Sequence, residues 1–217
     1  IVNKTTMQTP KNINEATNAG PTYALNDSGE FVISNYNSAK LFSSFFPGVA
    51  GQDGIPMWTF YVNRGQCICS MGIQDKEHAI MEFMPANRAY QLASTQGFRT
   101  FIKTDQDQQS FYEPFQKQLR DSNINKTQRM IIAPSKLTLE EVNETLGLTF
   151  TVEYCNVPQD NYAGLMRTLR ITNDGTAPIG LQGLDGLPLV VPYGVDNGSL
   201  KFTRRLVEAF VEVVNHE

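Results

Sequence analysis

From Glu30 to Gly186 the sequence is a succession of short runs rich in β-branched and aromatic residues, closed by turn-forming clusters. The cleanest is FRTFIKT, where Phe98, Thr100 and Ile102 fall on one face and Arg99, Phe101 and Lys103 on the other. A period of two is the signature of a half-buried strand. EFVISNY is a short run of the same kind. MWTFYVNRGQCICSMGI reads as two strands joined near Asn63-Arg64-Gly65, and HAIMEFM follows the charged turn QDKEH. RMIIAPSKLTLEEVNETLGLTFTVEYCNVP reads as strands parted at Ala133-Pro134-Ser135 and near Leu146-Gly147. YAGLMRTLRITNDGTAPIGLQGLDG predicts a long strand, a turn at Asn173-Asp174-Gly175 and a return strand. Many strands at such spacing predict a mainly β chain folded as a large antiparallel β-sandwich. The polar stretch DQDQQSFYEPFQKQLRDSNINKTQ, with its aromatic patch, predicts a long excursion with one short strand.

The two ends differ from this pattern. Residues 1–20 are polar and aperiodic, which predicts a flexible arm ahead of a sandwich over 21–217. SLKFTRRLVEAFVEVVN places Phe202, Leu206, Val207, Phe210, Val211 and Val214 at helical spacing, with Ser199 as the expected N-cap. A helix after the strands, without a clear stop, predicts that the sandwich is an incomplete N-terminal part of a larger protein.

Charge and cysteine usage exclude several classes. A net charge of −4 with no long basic block argues against nucleic acid as partner. No apolar run reaches the length of a membrane span. The cysteines are Cys67, Cys69 and Cys155, and an odd count argues against a disulfide framework. On one strand Cys67 and Cys69 would point the same way about 6.5 Å apart, too far for an easy bridge. The two histidines, His78 and His216, lack partners at metal-ligand spacing. The sequons at Asn3, Asn26, Asn125, Asn143 and Asn197 read as chance in a chain rich in Asn and Thr.

No Gly-x-Ser-x-Gly or P-loop motif is present. His78 lies beside a charged turn and His216 next to the last residue, so nucleophilic catalysis is disfavoured. Glu140 and Glu141 would face opposite sides of a strand, and Asp105 and Asp107 lie in a polar, solvated stretch. Neither pair has the apolar setting that raises a carboxyl pKa. Asp185 does, flanked by Leu184, Leu187, Leu189, Val190 and Val191. Asp-Gly is also a turn dipeptide, so Asp185 reads first as a turn or packing residue, with an orienting role beside a site as the alternative. PMWTFYVNRGQ combines the flat faces of Trp58 and Tyr61 with donors from Asn63, Arg64 and Gln66. Such a mix suits a sugar ring, and equally a strand core with a hairpin turn. PANRAYQ, read as a polar-aromatic loop carrying Arg88, Tyr90 and Gln91, poses the same choice.

The order FSSFFPGVAGQDGIPMWTFYVNRGQCICSMGIQDKEHAIMEFMPANRAYQ, GFRTFIK, FYEPFQ, LTLEEVNETLGL and LDGLPLVVPYGV, from about Glu30 to the end, resembles the N-terminal region of bacterial inverting β-glucoside phosphorylases. These are the cellobiose-phosphorylase-like enzymes of the glycosyltransferase family 36 type, which act on β-glucosides and β-glucan oligosaccharides. The most specific pieces are PMWTFYVNRGQ and LDGLPLVVPYG. The resemblance implies a galactose-mutarotase-like supersandwich, a helical linker and then an (α/α)6 barrel that carries the catalytic acid. An inverting phosphorylase attacks with inorganic phosphate, so one protein acid suffices. No residue here matches the motif of that acid, so the resemblance implies no catalytic residue, no metal and no cofactor in this chain, with inorganic phosphate as cosubstrate of the parent enzyme. It implies a cytoplasmic protein that helps close the sugar site and assemble a homodimer. The contacts then expected toward a β-glucoside or β-glucan oligosaccharide are Trp58, Asn63, Arg64, Gln66, Arg88 and Tyr90. A free-standing carbohydrate-binding or dimerisation module is the alternative.

Overall fold

The computed structural model describes residues 20–105, 111–117, 124–157 and 160–209. All of the expected arm except Gly20, as well as Asp107 and His216, therefore lies outside the described residues. Among the described residues twelve strands form: β1 Thr22–Leu25, β2 Phe31–Ser34, β3 Ser43–Ala50, β4 Ile55–Val62, β5 Ile68–Ile73, β6 Ala79–Met81, β7 Arg99–Thr104, β8 Lys126–Ile132, β9 Lys136–Asn143, β10 Leu148–Asn156, β11 Leu165–Asn173 and β12 Leu181–Gly186. Two α-helices accompany them, α1 Ala86–Gln96 and α2 Asn197–Ala209. The chain is mainly β, as the alternating runs predict.

The strands form three antiparallel sheets. A six-stranded sheet runs β1-β2-β8-β9-β10-β11, a four-stranded meander runs β3-β4-β5-β6, and β7 pairs with β12 as a ribbon. Ile33, Met130, Leu139, Phe150, Val152 and Tyr154 of the large sheet share one buried cluster with Tyr61, Ile68 and Met71 of the meander and Ile102 of the ribbon. This is sandwich packing, with side chains of alternate positions filling the space between layers. In β10 the buried set is Leu148, Phe150, Val152, Tyr154 and Asn156, every second residue. Pro47 is accommodated because β3 is an edge strand of the meander.

A fully buried carboxylate lies inside this core. The period of two that turns Glu140 outward to Arg129 turns Glu141 inward, with no exposed surface. Glu141 accepts hydrogen bonds from the Tyr112 hydroxyl, from the Phe115 amide at 2.7 Å and from Gln128 Nε2 at 2.6 Å, with Lys126 Nζ 3.6 Å away. The expectation that neither Glu140 nor Glu141 has apolar surroundings is thus corrected for Glu141, which Leu137 and Leu139 flank on the same inward face. Its donors pin the segment around Phe115, whose φ of 67° is unusual for a bulky residue. Asn37 completes the clamp, donating to the Phe115 carbonyl at 2.8 Å and accepting from the Gly65 amide at 2.9 Å.

Three local expectations are corrected. The β4–β5 hairpin forms where predicted, yet Cys67 and Cys69 do not face the same way. Cys67 takes a φ of 71° and the pairing shifts between Phe60 and Tyr61. That irregularity breaks the alternation, so Cys67 joins the main core while Cys69 lies under α1 with Val62, Ala89 and Ala93. PANRAYQ is not a loop but the start of α1. Ala89 and Ala93, four apart, give α1 a small-residue face that lets it settle on the sheet. At Gly65, with a φ of 54°, a Cβ would come 2.9 Å from the Ser94 Cα, so only glycine permits this approach. The return strand after Asn173-Asp174-Gly175 also forms, but β12 leaves β11 and pairs with β7, from Leu181 opposite Thr104 to Gly186 opposite Arg99. Asp185 is accordingly a strand residue rather than a turn residue.

The terminal helix begins at Asn197, two residues before the expected cap, and the side chain of Asp196 accepts from the Ser199 amide at 2.6 Å. No helix among the described residues is long and apolar enough to cross a membrane.

Two outcomes follow from this packing. Burial pushes the Cys69 thiol up to about 11 and the Cys67 thiol upward as well. A native-state thiol titration with Ellman's reagent at pH 8 is therefore expected to modify Cys155 first and to reach Cys67 and Cys69 only on unfolding. Glu141→Leu is expected to destabilise the chain by about 3–5 kcal/mol in urea unfolding, because it removes the buried acceptor of the Tyr112 hydroxyl, the Phe115 amide and Gln128 Nε2.

Candidate functional site

The six residues expected to meet sugar do not form one site. Asn63 is fully buried at the end of β4. Its amide donates to the carbonyls of Tyr36 at 3.2 Å and Lys40 at 2.9 Å, and its oxygen accepts from the Phe42 amide at 3.1 Å. Arg64 donates to the carbonyls of Tyr36 at 3.3 Å, Ala39 at 2.9 Å and Asn63 at 2.5 Å. Burial lowers the Arg64 pKa, an effect opposed by Cys67, Tyr36 and Tyr90. Both side chains hold residues 36–42 against the hairpin, which corrects the expectation that their donors are free for a ligand. Arg88 is exposed on α1, and Tyr90 packs against the Val62–Cys69 cluster beneath that helix.

Trp58 is on the outer face of the meander, 36% exposed, with Nε1 donating to the Gln74 carbonyl at 2.9 Å. It begins a row of rings: Phe45 is 6.1 Å from Trp58 and 5.6 Å from Phe60, and Phe83 meets Phe60 edge-on at 5.9 Å. Gly72 is what lets Phe83 lie there, since a Cβ would stand 2.6 Å from its ring.

Gln66 alone leads to a polar constellation. It is buried in the β4–β5 turn and donates through Nε2 to Thr100 Oγ1 at 2.8 Å. Thr100 Oγ1 donates to Asp185 Oδ1 at 2.6 Å. Arg167, on β11, reaches all three: Nη1 donates to Asp185 Oδ2 at 2.6 Å, and Nη2 to Asp185 Oδ1 at 2.8 Å, to Gln66 Oε1 at 2.7 Å and to Thr100 Oγ1 at 3.2 Å. The Arg167 side chain is 9% exposed and that of Asp185 33%. The guanidinium also lies 5.1 Å from the Phe98 ring centroid. Burial alone would lower the Arg167 pKa, but Asp185 and the Tyr154 phenol beside it outweigh burial and raise it. Burial raises the Tyr154 phenol, so the tyrosine stays neutral next to the cation. Asp185 thus works as the counter-ion of Arg167, closer to an orienting role than to a general acid.

Sequence reasoning passed over Arg167, although one signal for it exists. In LMRTLRIT the positions Leu165, Arg167, Leu169 and Ile171 share a face, and the three apolar members mark that face as inward. A cation in phase with core residues demands a buried acid, and Asp185 is the acid with an apolar setting.

Outside this junction, Arg99 and Glu113 form a two-pronged ion pair at 2.7 and 2.8 Å, with the Arg99 guanidinium 4.6 Å from the Phe101 ring centroid. Arg99, Phe101, Leu184, Asp185, Leu187 and Pro188 border an open cleft of about 250 Å³. No protein-family model matches the chain, and no curated protein matches it.

The junction makes its coupling measurable. Arg167→Leu and Asp185→Leu are each expected to cost about 2–4 kcal/mol, since each strands the other's charge in a poorly solvated place. The double variant is expected to cost less than the sum by about 1–3 kcal/mol in a urea-unfolding cycle.

Proposed function

We propose that this chain is a noncatalytic β-sandwich segment of a glycoside phosphorylase that converts β-glucosides or β-glucan oligosaccharides to glucose 1-phosphate, where it assists sugar binding and assembly. The observation that carries the reading is a concentration of exposed apolar side chains in the described part of the C-terminal third. Leu184 is 71% exposed, Tyr193 wholly so, and Phe202 87%, with Val190 and Leu206 also open. Apolar exposure of this extent is the mark of a surface made to be covered by protein. The inward acids support the noncatalytic part of the reading. Glu141 and Asp185 are both occupied by donors and serve as counter-charges, whereas a general acid must present its proton to a leaving oxygen. The order of motifs that resembles the cellobiose-phosphorylase-like enzymes supplies the substrate class. The parent protein is read as cytoplasmic and dimeric on the same ground.

The exposed Phe45–Trp58 row favours a second reading, a free-standing carbohydrate-binding module. The two readings diverge on assembly. With cellobiose, laminaribiose or sophorose and inorganic phosphate, the 217-residue chain is expected to release no glucose 1-phosphate in a phosphoglucomutase-coupled assay; turnover contradicts both readings. In sedimentation velocity, the segment reading expects concentration-dependent association that Tyr193→Ser plus Phe202→Ser abolishes. A strictly monomeric wild-type chain favours the module.

A further inference from the structure

We propose that the free edge of β11 is a docking site for an extended, acid-bearing strand of a partner polypeptide, which adds to the large sheet as a further strand. Strand addition here needs only the sheet and stands apart from the sugar-handling reading above. The ladder dictates which groups are open. Val157 donates to the Gly164 carbonyl at 2.8 Å and Asp174 to the Gly147 carbonyl at 2.9 Å, one step beyond either end of the β10–β11 register. In an antiparallel pair, bonded and non-bonded residues alternate. Met166, Thr168, Arg170 and Thr172 therefore bond to β10, and the amides and carbonyls of Leu165, Arg167, Leu169, Ile171 and Asn173 point away from it. None of these edge groups finds a hydrogen-bond partner among the described residues. An antiparallel addition continues the pairing of the whole sheet and is the slightly more stable kind.

Length, apolar margin and charge select the occupant. β11 runs nine residues without proline, glycine or a register shift. The other edges are blunted: β1 has four residues, β3 carries Pro47, β6 has three residues, β7 is bridged by Tyr112, and β12 carries Gly183 and Gly186. Leu165, Leu169 and Ile171 are only partly buried at the margin of the core. Apolar residues on the inward face of an added strand cover them. On the outward face Arg170 is exposed, lies opposite Thr151 of β10, and has no ion pair or hydrogen bond among the described residues. The position facing it across the open edge suits a carboxylate. A second copy of β11 does not supply one. Two-fold pairing centred on Leu169, the register that uses every open group, sets Arg170 against Thr168. It also leaves the two Arg170 residues on a diagonal, roughly 7–8 Å apart. The partner strand is therefore a different sequence, apolar at alternate positions and acidic opposite Arg170.

The test is a titration of the ¹⁵N-labelled 217-residue chain with a peptide of alternating threonine and valine, matched to β11 in length, that carries glutamate opposite Arg170. Saturable binding is expected. The amides of Leu165, Arg167, Leu169, Ile171 and Asn173 gain protection from hydrogen exchange, while those of Met166, Thr168, Arg170 and Thr172, already bonded to β10, change little. Arg170→Glu alters an exposed side chain and is expected to weaken binding about tenfold; a peptide with lysine in place of its glutamate restores it. Proline opposite Leu169 removes a donor that the pairing uses and is expected to abolish binding. No saturable binding of the glutamate peptide, or binding that the proline peptide retains, overturns strand addition. Equal binding of the glutamate and lysine peptides by the native chain overturns the acidic partner. Protection of the same edge amides that rises with protein concentration in the absence of peptide also overturns it, because the edge then takes a second copy.

Discussion

One guanidinium joins the three sheets. Arg167 projects from β11, the edge of the six-stranded sheet, to Asp185 on β12, while its Nη2 also reaches Gln66 in the turn of the meander. The ribbon depends on this contact more than the other layers do. The large sheet has continuous ladders from β8 to β11, and the meander its own hairpins. Among the described residues β7 and β12 pair with each other and with no further strand, apart from an isolated bridge between Ile102 and Tyr112. A two-stranded ribbon is marginal by itself and needs packing against a partner layer. Ile102 provides apolar packing; Arg167 provides the directional tie that fixes register and tilt.

Much of this architecture was readable from alternation. The runs that became β7 and β10 carry their burial pattern in the sequence because each buries every second residue. Alternation failed wherever a single backbone irregularity intervened. Cys67, at positive φ, sends itself and Cys69 to opposite sides of the meander. α1 was missed because its contact face is made of Ala89 and Ala93, which carry little hydrophobic signal although they permit close packing. The partner of β12 was beyond reach for another reason. Pairing with β7 joins segments far apart in the chain, Leu181 with Thr104 and Gly186 with Arg99, and no local pattern distinguishes it from a hairpin with β11.

The candidate site was less legible than the fold, for a physical reason. Asn, Arg and Gln in a hairpin turn look alike whether they bind a ligand or satisfy backbone carbonyls. Asn63 and Arg64 do the latter, because residues 36–42 cross the hairpin outside a strand ladder and the carbonyls of Tyr36, Ala39 and Lys40 accept from these two side chains. Gln66 differs only in what lies opposite, Thr100 and Arg167. Asp185 looked like a lone acid because its counter-ion is 18 residues away in a strand otherwise read as core. Exposed apolar side chains, among them Tyr193, Phe202 and Leu206, are concentrated in the C-terminal third.

The central claim is that Arg167 holds the ribbon to the sandwich. Native-state hydrogen exchange on Arg167→Leu tests it most directly. The account predicts that amides of Arg99–Thr104 and Leu181–Gly186 lose protection while those of Lys136–Asn156 keep theirs relative to global stability. Equal loss across all three sheets, or unchanged protection in the ribbon, would contradict it.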